Sequence, residues 1–358
     1  MSTSRDSRES LSSVRDRVQA SVVGRERELG LVLAAVAAGR DILLEGPPGT
    51  SKSTLLRAIT AEWGIPLVFV EGNADLTPAK LVGHHNPARV LREDYSPENF
   101  VDGPLVEAMR EGGFLYIEEF NRAPEDTLNT LLTAMAERRI AVPRVGEVVA
   151  RDTFRVIASM NPYDNIGTTR LSTSVHDRLC RLAITYQDAV AERGIVALRA
   201  PLPDLKPAVY ERLVADAVAV TRATREHEDI RQGSSVRGAI DLTLVAGELF
   251  LLDSERGRGS TGWAHDTDGG EAGEPAGGSA AGTSSTGTGS TGTGDGDAAQ
   301  VTAEETEQRY RDTVYDAMIV ALSGRIFLDE TVEATPEQVL RQIWEDHFIL
   351  NPAAAAPG

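Results

Sequence analysis

The chain has 358 residues, 41% of them hydrophobic, and a formal net charge of -18, which suffices for one large domain and a smaller one with separate cores. No stretch reaches the roughly 18 to 20 continuous apolar residues of a membrane span, and the opening MSTSRDSRESLSSVRDRVQA lacks the apolar centre of a signal peptide, so a cytoplasmic protein is expected. The acidic balance disfavours a general nucleic-acid surface, and the single cysteine, Cys180, excludes an internal disulfide and cannot by itself build a zinc site.

Residues 1–20 are rich in Ser, Arg and Asp and read as a flexible, partly helical lead-in. From Val23 to Ala38 the residues Leu29, Leu31, Val32, Leu33 and Val36 recur at helical spacing, and Gly39 stops the pattern before the run Ile42, Leu43, Leu44. Short apolar runs return at Leu67–Val70, Phe114–Ile117 and Phe154–Ala158, separated by helical segments such as Leu55–Glu62 and Asp126–Arg138. This alternation predicts an α/β core, a parallel sheet between helices, over residues 21–200.

After about Tyr186 the strand signals stop. Pro201, Pro203 and Pro207 lead into a small all-helical domain over 201–253 and 301–350, with helices expected at Ala208–Glu226, Ser235–Leu252, Glu304–Leu322 and Pro336–His347. Residues 254–300, with their GTSSTGTGSTGTGDGD run, are too polar to fold alone and are expected to be a disordered insert.

The chemistry concentrates in the first region. Gly46, Pro47, Pro48, Gly49, Thr50, Ser51, Lys52, Ser53 and Thr54 follow an apolar strand and open a helix, the context a phosphate-binding loop requires. Backbone N–H groups would receive phosphate oxygens, Lys52 would meet the outer phosphates and the Ser53 hydroxyl would face magnesium. Only three lysines occur, Lys52, Lys80 and Lys206, in a basic complement that is otherwise arginine, as high-GC coding or adaptation to high salt would produce. Ser51 stands where the strict pattern has glycine, so the loop must accommodate a Cβ there.

The run Phe114–Ile117 ends in Glu118 and Glu119. The first carboxylate is placed to hold the magnesium hydration shell and the second to polarise an attacking water. Glu118 is one methylene longer than the usual aspartate. Asn161, at the end of Val156–Met160, is expected between the loop and the acid pair, within reach of water or a γ-phosphate. His84 and His85 lack supporting ligands and do not make a metal pair, Met109 and Met135 read as core, and Cys180 reads as a buried apolar residue.

These residues resemble the AAA+ ATPases, in particular their MoxR-type branch, related to the magnesium chelatase I subunit. The resemblance covers residues 20–252 and, more weakly, 304–347. It rests on GPPGTSKST, on DGPLVEAMREGGFLYIEEFNRAPEDTLNTLLTAMAERRI over 102–140, on ASMNPYDN, on HDRLCRL over 176–182 with Leu179 in place of phenylalanine, and on GSSVRGA over 233–239. It implies an ATPase using ATP and Mg2+, with Arg178 as a finger reaching the γ-phosphate of a neighbouring subunit and Arg237 as a sensor from a helical lid. Arg170 and Arg181 are alternatives for the finger. It further implies a homo-oligomer, a ring of six, that remodels or matures a client complex together with a von Willebrand factor A domain protein. Other readings are a chelatase motor coupled to metal insertion and a slow-turnover, nucleotide-dependent interaction module. A DNA-remodelling ATPase fits the acidic charge less well.

Overall fold

The computed structural model describes residues 11–93, 95–162, 168, 171–255 and 302–350. They fall into two compact units divided between Ile195 and Val196. The segment 256–300, most of the expected disordered insert, lies outside the described residues.

The first unit runs α1 (Leu11–Gln19), α2 (Glu26–Ala37), β1 (Ile42–Glu45), α3 (Lys52–Trp63), β2 (Leu67–Glu71), α4 (Pro78–Val82), β3 (Gly83–His85), α5 (Pro87–Glu93), β4 (Phe100–Asp102), α6 (Pro104–Glu111) and β5 (Phe114–Glu118). It continues with α7 (Glu125–Glu137), β6 (Arg139–Val142), β7 (Gly146–Val149), β8 (Arg155–Met160), α8 (Thr173–Arg178), β9 (Cys180–Ala183) and α9 (Ala189–Arg199), within which the division falls.

Five strands form a parallel sheet in the order β2-β5-β8-β1-β9. The inner strands are almost wholly buried, as their continuous apolar runs require, because helices cover both faces. Alternate residues serve opposite faces. Leu43, Leu115, Ile117, Val156 and Ala158 pack on one side with Met109 and Met135. Ile42, Leu44, Phe114, Tyr116 and Ile157 pack on the other with α2 and α3. Asp41 fixes the starting edge: its carboxylate accepts the Val156 N–H at 2.6 Å and its carbonyl accepts Cys180 N–H at 2.9 Å. Burial raises the pKa of that carboxyl, an effect that the Val156 N–H and the nearby Arg138 and Arg155 oppose.

Three expectations need correction. Residues 11–19, expected within a flexible, partly helical lead-in, are helical but not loose: Val14 and Val18 are fully buried against the α2–α3 side of the sheet. Cys180 is exposed, because β9 is an edge strand that needs little apolar surface. The second region is not purely helical: among α10 (Pro207–Ala223), α11 (Val236–Glu255), α12 (Ala303–Leu322) and α13 (Pro336–Glu345), the strands β10 (Ile230–Gln232) and β11 (Phe327–Leu328) pair antiparallel.

Within the second unit a buried polar group ties the helices together. Asp216 accepts the Tyr310 hydroxyl at 2.8 Å and lies 2.9 Å from His347 Nε2, while Arg212 grips Glu307 with two bonds of 2.7 Å and stacks 4.0 Å over the Tyr310 ring. Thr302 and Thr335 open α12 and α13 with reciprocal capping boxes. Among the described residues no helix is long and apolar enough to cross a membrane.

Because Val18 is fully buried, Val18→Ala should lower stability by about 2 kcal/mol through lost burial and a residual cavity, read as a lower urea midpoint. An unchanged midpoint would show that α1 is not part of the folded unit.

Candidate functional site

The site is built at the carboxyl ends of β1, β8 and β5. At the end of β1 the chain turns sharply at Gly46, whose N–H donates to Met160 O at 3.1 Å; a Cβ there would stand 2.0 Å from Ile184 O, so close backbone approach demands glycine. Within the loop Thr50 Oγ1 donates back to Pro47 O at 2.9 Å. Pro48 and Thr54 are exposed, and Gly49 adopts φ 75°.

Ser51 has φ 63° and ψ 22°, the left-handed conformation, and leads directly into α3. This explains why a glycine is expected at that position: the serine occupies a backbone region that disfavours a Cβ by roughly 1–2 kcal/mol. Lys52 is only 9% exposed, and its ammonium donates to Gly46 O at 2.8 Å and Pro47 O at 2.9 Å. No side chain caps α3, so its first-turn N–H groups face the loop with the positive end of the helix dipole.

Ser53, one residue into α3, donates through Oγ to Glu118 Oε1 at 2.7 Å. That bond joins the loop to the end of β5 across β8. The adjacent Glu119 is also left-handed, with φ 52° and ψ 44°, and its carboxylate turns away from Ser53 towards Arg122, whose Nε lies 3.3 Å from Glu119 Oε2. This Oε2 is buried, and the arginine is held as an ion pair without hydrogen-bond geometry. The two carboxylates therefore serve different directions.

Asn161 leaves β8, which runs between β1 and β5, and is half-buried; its carbonyl accepts Asn121 Nδ2 at 3.4 Å. Arg178 closes α8 and is exposed, its Nη1 donating to Ser174 O at 3.1 Å. Leu179 behind it is buried in the sheet core. Arg181, an alternative for the finger, instead pairs with Glu45 at the end of β1, and Arg170 lies outside the described residues. Arg237 belongs to the second unit, exposed at the start of α11, with its N–H donating to Ser235 Oγ at 3.3 Å. His85 packs edge-on against Tyr95 and Phe100, each at 5.2 Å.

Three contributors escape a reading of the sequence. Arg25, 3% exposed, clamps the loop from behind: its Nη2 donates to Thr50 O at 3.0 Å, Thr185 O at 2.7 Å and Gln187 Oε1 at 3.1 Å. Burial lowers its pKa, opposed chiefly by Glu28. Gly72, just past β2, donates to Glu118 O at 2.7 Å, and a Cβ on it would stand 2.3 Å from Glu119 O. Tyr116 links Ser53 and Ser159 through its hydroxyl, at 3.2 and 2.9 Å. In sequence Arg25 looks like one of many surface arginines and Tyr116 like one more apolar strand residue; only the glycine after a strand end carries a signal.

Ser51→Gly should raise stability by about 1 kcal/mol, the relieved left-handed penalty less glycine's entropy in the unfolded chain, read as a higher melting temperature. A lower one would mean that the Ser51 side chain contributes more than its backbone strain removes.

Residues 41–179 match the AAA domain (dynein-related subfamily). An uncharacterized protein of Staphylococcus haemolyticus is 29% identical over 206 residues, covering 57% of this chain and 77% of its own. The gas vesicle ATPase GvpN of Ancylobacter aquaticus is 27% identical over 232 residues, covering 60% of this chain and 62% of its own. Among solved structures, the Thermotoga maritima RuvB Holliday junction branch migration motor aligns over 67% of each chain at 18% identity and a TM-score of 0.43. The matched segment spans the loop, the acid pair and Asn161 on one parallel sheet, and the protein is an ATPase that carries an AAA domain over residues 41–179.

Proposed function

We propose that this ATPase binds Mg-ATP in the loop Gly46–Thr54 and hydrolyses it, within a homo-oligomeric ring of six, to remodel or mature a partner protein complex in the cytoplasm in the manner of MoxR-type proteins. The observation that carries the site is the 2.7 Å bond from Ser53 Oγ to Glu118 Oε1, which puts a hydroxyl and a carboxylate side by side next to a buried lysine and an uncapped helix start. That donor set fits a triphosphate with a hard divalent cation, which takes oxygen ligands and retains water.

Each residue then has a definite task. The loop N–H groups and Lys52 hold the β- and γ-phosphates, and a bound magnesium ion would neutralise developing charge on the phosphate oxygens. Ser53 and Glu118 are the residues that would hold it, Glu118 through water. Glu119 accepts a proton from the water whose oxygen bonds to the γ-phosphorus as the bond to the ADP oxygen breaks. Its ion pair with Arg122 is no obstacle, because both side chains are a third or more exposed and such a pair is worth about 0–1 kcal/mol. Asn161 orients that water. Arg178, exposed at the end of α8, is the candidate finger for the neighbouring subunit's γ-phosphate, an interaction worth about 10³–10⁵ in rate, and Arg237 is the candidate sensor of the second unit. The client, and a von Willebrand factor A domain adaptor, belong to the same reading; the relative named a gas vesicle ATPase supports the nucleotide chemistry rather than a particular client.

A slow-turnover module is the second reading, favoured by the strain at Ser51 and by a glutamate where aspartate is usual. Turnover separates the two. Glu119→Gln should retain nucleotide binding and lose about 10²–10⁴-fold in hydrolysis, whereas Lys52→Ala should lose binding itself. Hydrolysis by Glu119→Gln at the wild-type rate would remove Glu119 from its assigned role, and a wild type that binds but does not turn over would favour the module.

A further inference from the structure

A chain of hydroxyl groups leads to Ser53, and the proposed function gives two of its members, Tyr116 and Ser159, no task. Ser159 on β8, Tyr116 on β5 and Ser53 on α3 follow one another at 2.9 and 3.2 Å, and the chain ends on Glu118 Oε1 2.7 Å further on. Tyr116 is fully buried and Ser159 is 1% exposed, so neither hydroxyl exchanges its partner for bulk water.

The direction of the chain follows from proton counting. A carboxylate only accepts, so the single proton of Ser53 is committed to Glu118. The contact between Ser53 and Tyr116 is then a hydrogen bond only with Tyr116 as donor, and Tyr116 in turn accepts from Ser159. A phenol carries its proton at neutral pH, so Tyr116 has one to donate. Ser53 Oγ thus has its proton and one lone pair engaged, and a single lone pair left.

We infer that Tyr116 is a positioning residue for the divalent cation: its hydroxyl, backed by Ser159, fixes the rotation of the Ser53 hydroxyl so that the one remaining lone pair is presented to the metal. The inference rests on the Mg-ATP reading of this site. A phenol on β5 does what the carboxylate alone cannot, since Glu118 restrains the Ser53 proton but leaves two lone pairs to share among solvent and metal. The ring also packs against Phe69, centroids 5.8 Å apart, so Phe at position 116 preserves the packing while removing the donor.

The test is binding of a fluorescent ATP analogue to the full chain at a series of buffered free Mg2+ concentrations, for wild type, Tyr116→Phe and Ser159→Ala. Tyr116→Phe should raise the half-saturating Mg2+ concentration about three- to tenfold, the loss of one hydrogen bond, and leave binding in excess chelator unchanged. Ser159→Ala should shift the midpoint in the same direction by less. A folded Tyr116→Phe with an unchanged midpoint overturns the inference, as does equal weakening with and without Mg2+, which is the signature of a merely structural tyrosine. If Tyr116→Phe does not fold, an unchanged midpoint in Ser159→Ala overturns it. Wild-type binding indifferent to Mg2+ would instead overturn the Mg-ATP reading, and the inference with it.

Discussion

The order of the parallel sheet is the constraint on which the site depends. With β8 between β1 and β5, the ends of three adjacent strands deliver the loop Gly46–Thr54, Asn161 and an acid pair to one edge, and the Ser53–Glu118 bond spans that edge. A different strand order would separate these residues by the width of at least one further strand, beyond the reach of a serine hydroxyl. The order is secured at the opposite edge by Asp41, which binds the Val156 N–H near the start of β8 and the first N–H of β9 at once.

Two of the four non-glycine residues with positive φ among those described, Ser51 and Glu119, sit in the site itself. Each such conformation costs of order 1–3 kcal/mol and persists because its surroundings leave no alternative. The surroundings here are specific. Arg25 holds the carbonyl of Thr50 beside Ser51, and Gly72 presses against the backbone of Glu118 and Glu119 from the end of β2. The two acids consequently have different partners, Glu118 with Ser53 and Glu119 with Arg122.

What the sequence revealed, and what it concealed, both follow from burial. Strands β1, β5 and β8 were legible as apolar runs because helices cover them, and the loop after β1 was legible because glycine, lysine and hydroxyl residues stand at fixed offsets. Strand β9 carries Cys-Arg-Leu-Ala and β10 and β11 have three and two residues, too polar or too short to show a period. The packing of α1 was hidden because its contribution to the core is two valines four positions apart in a polar segment. Arg25 and Tyr116 were hidden for opposite reasons: a buried arginine has no local signature, and a tyrosine in an apolar run shows its ring rather than its hydroxyl. Arg178 and Arg237 were placed by resemblance, and both are exposed.

The most direct test of the account is ATP turnover per subunit across protein concentration, with assembly followed by light scattering and Arg178→Ala measured beside wild type. Turnover that climbs as the wild type assembles, and stays low in an Arg178→Ala protein that assembles equally well, is the predicted result. Turnover per subunit that is independent of assembly, or undiminished in Arg178→Ala, would contradict a site completed by a neighbouring subunit.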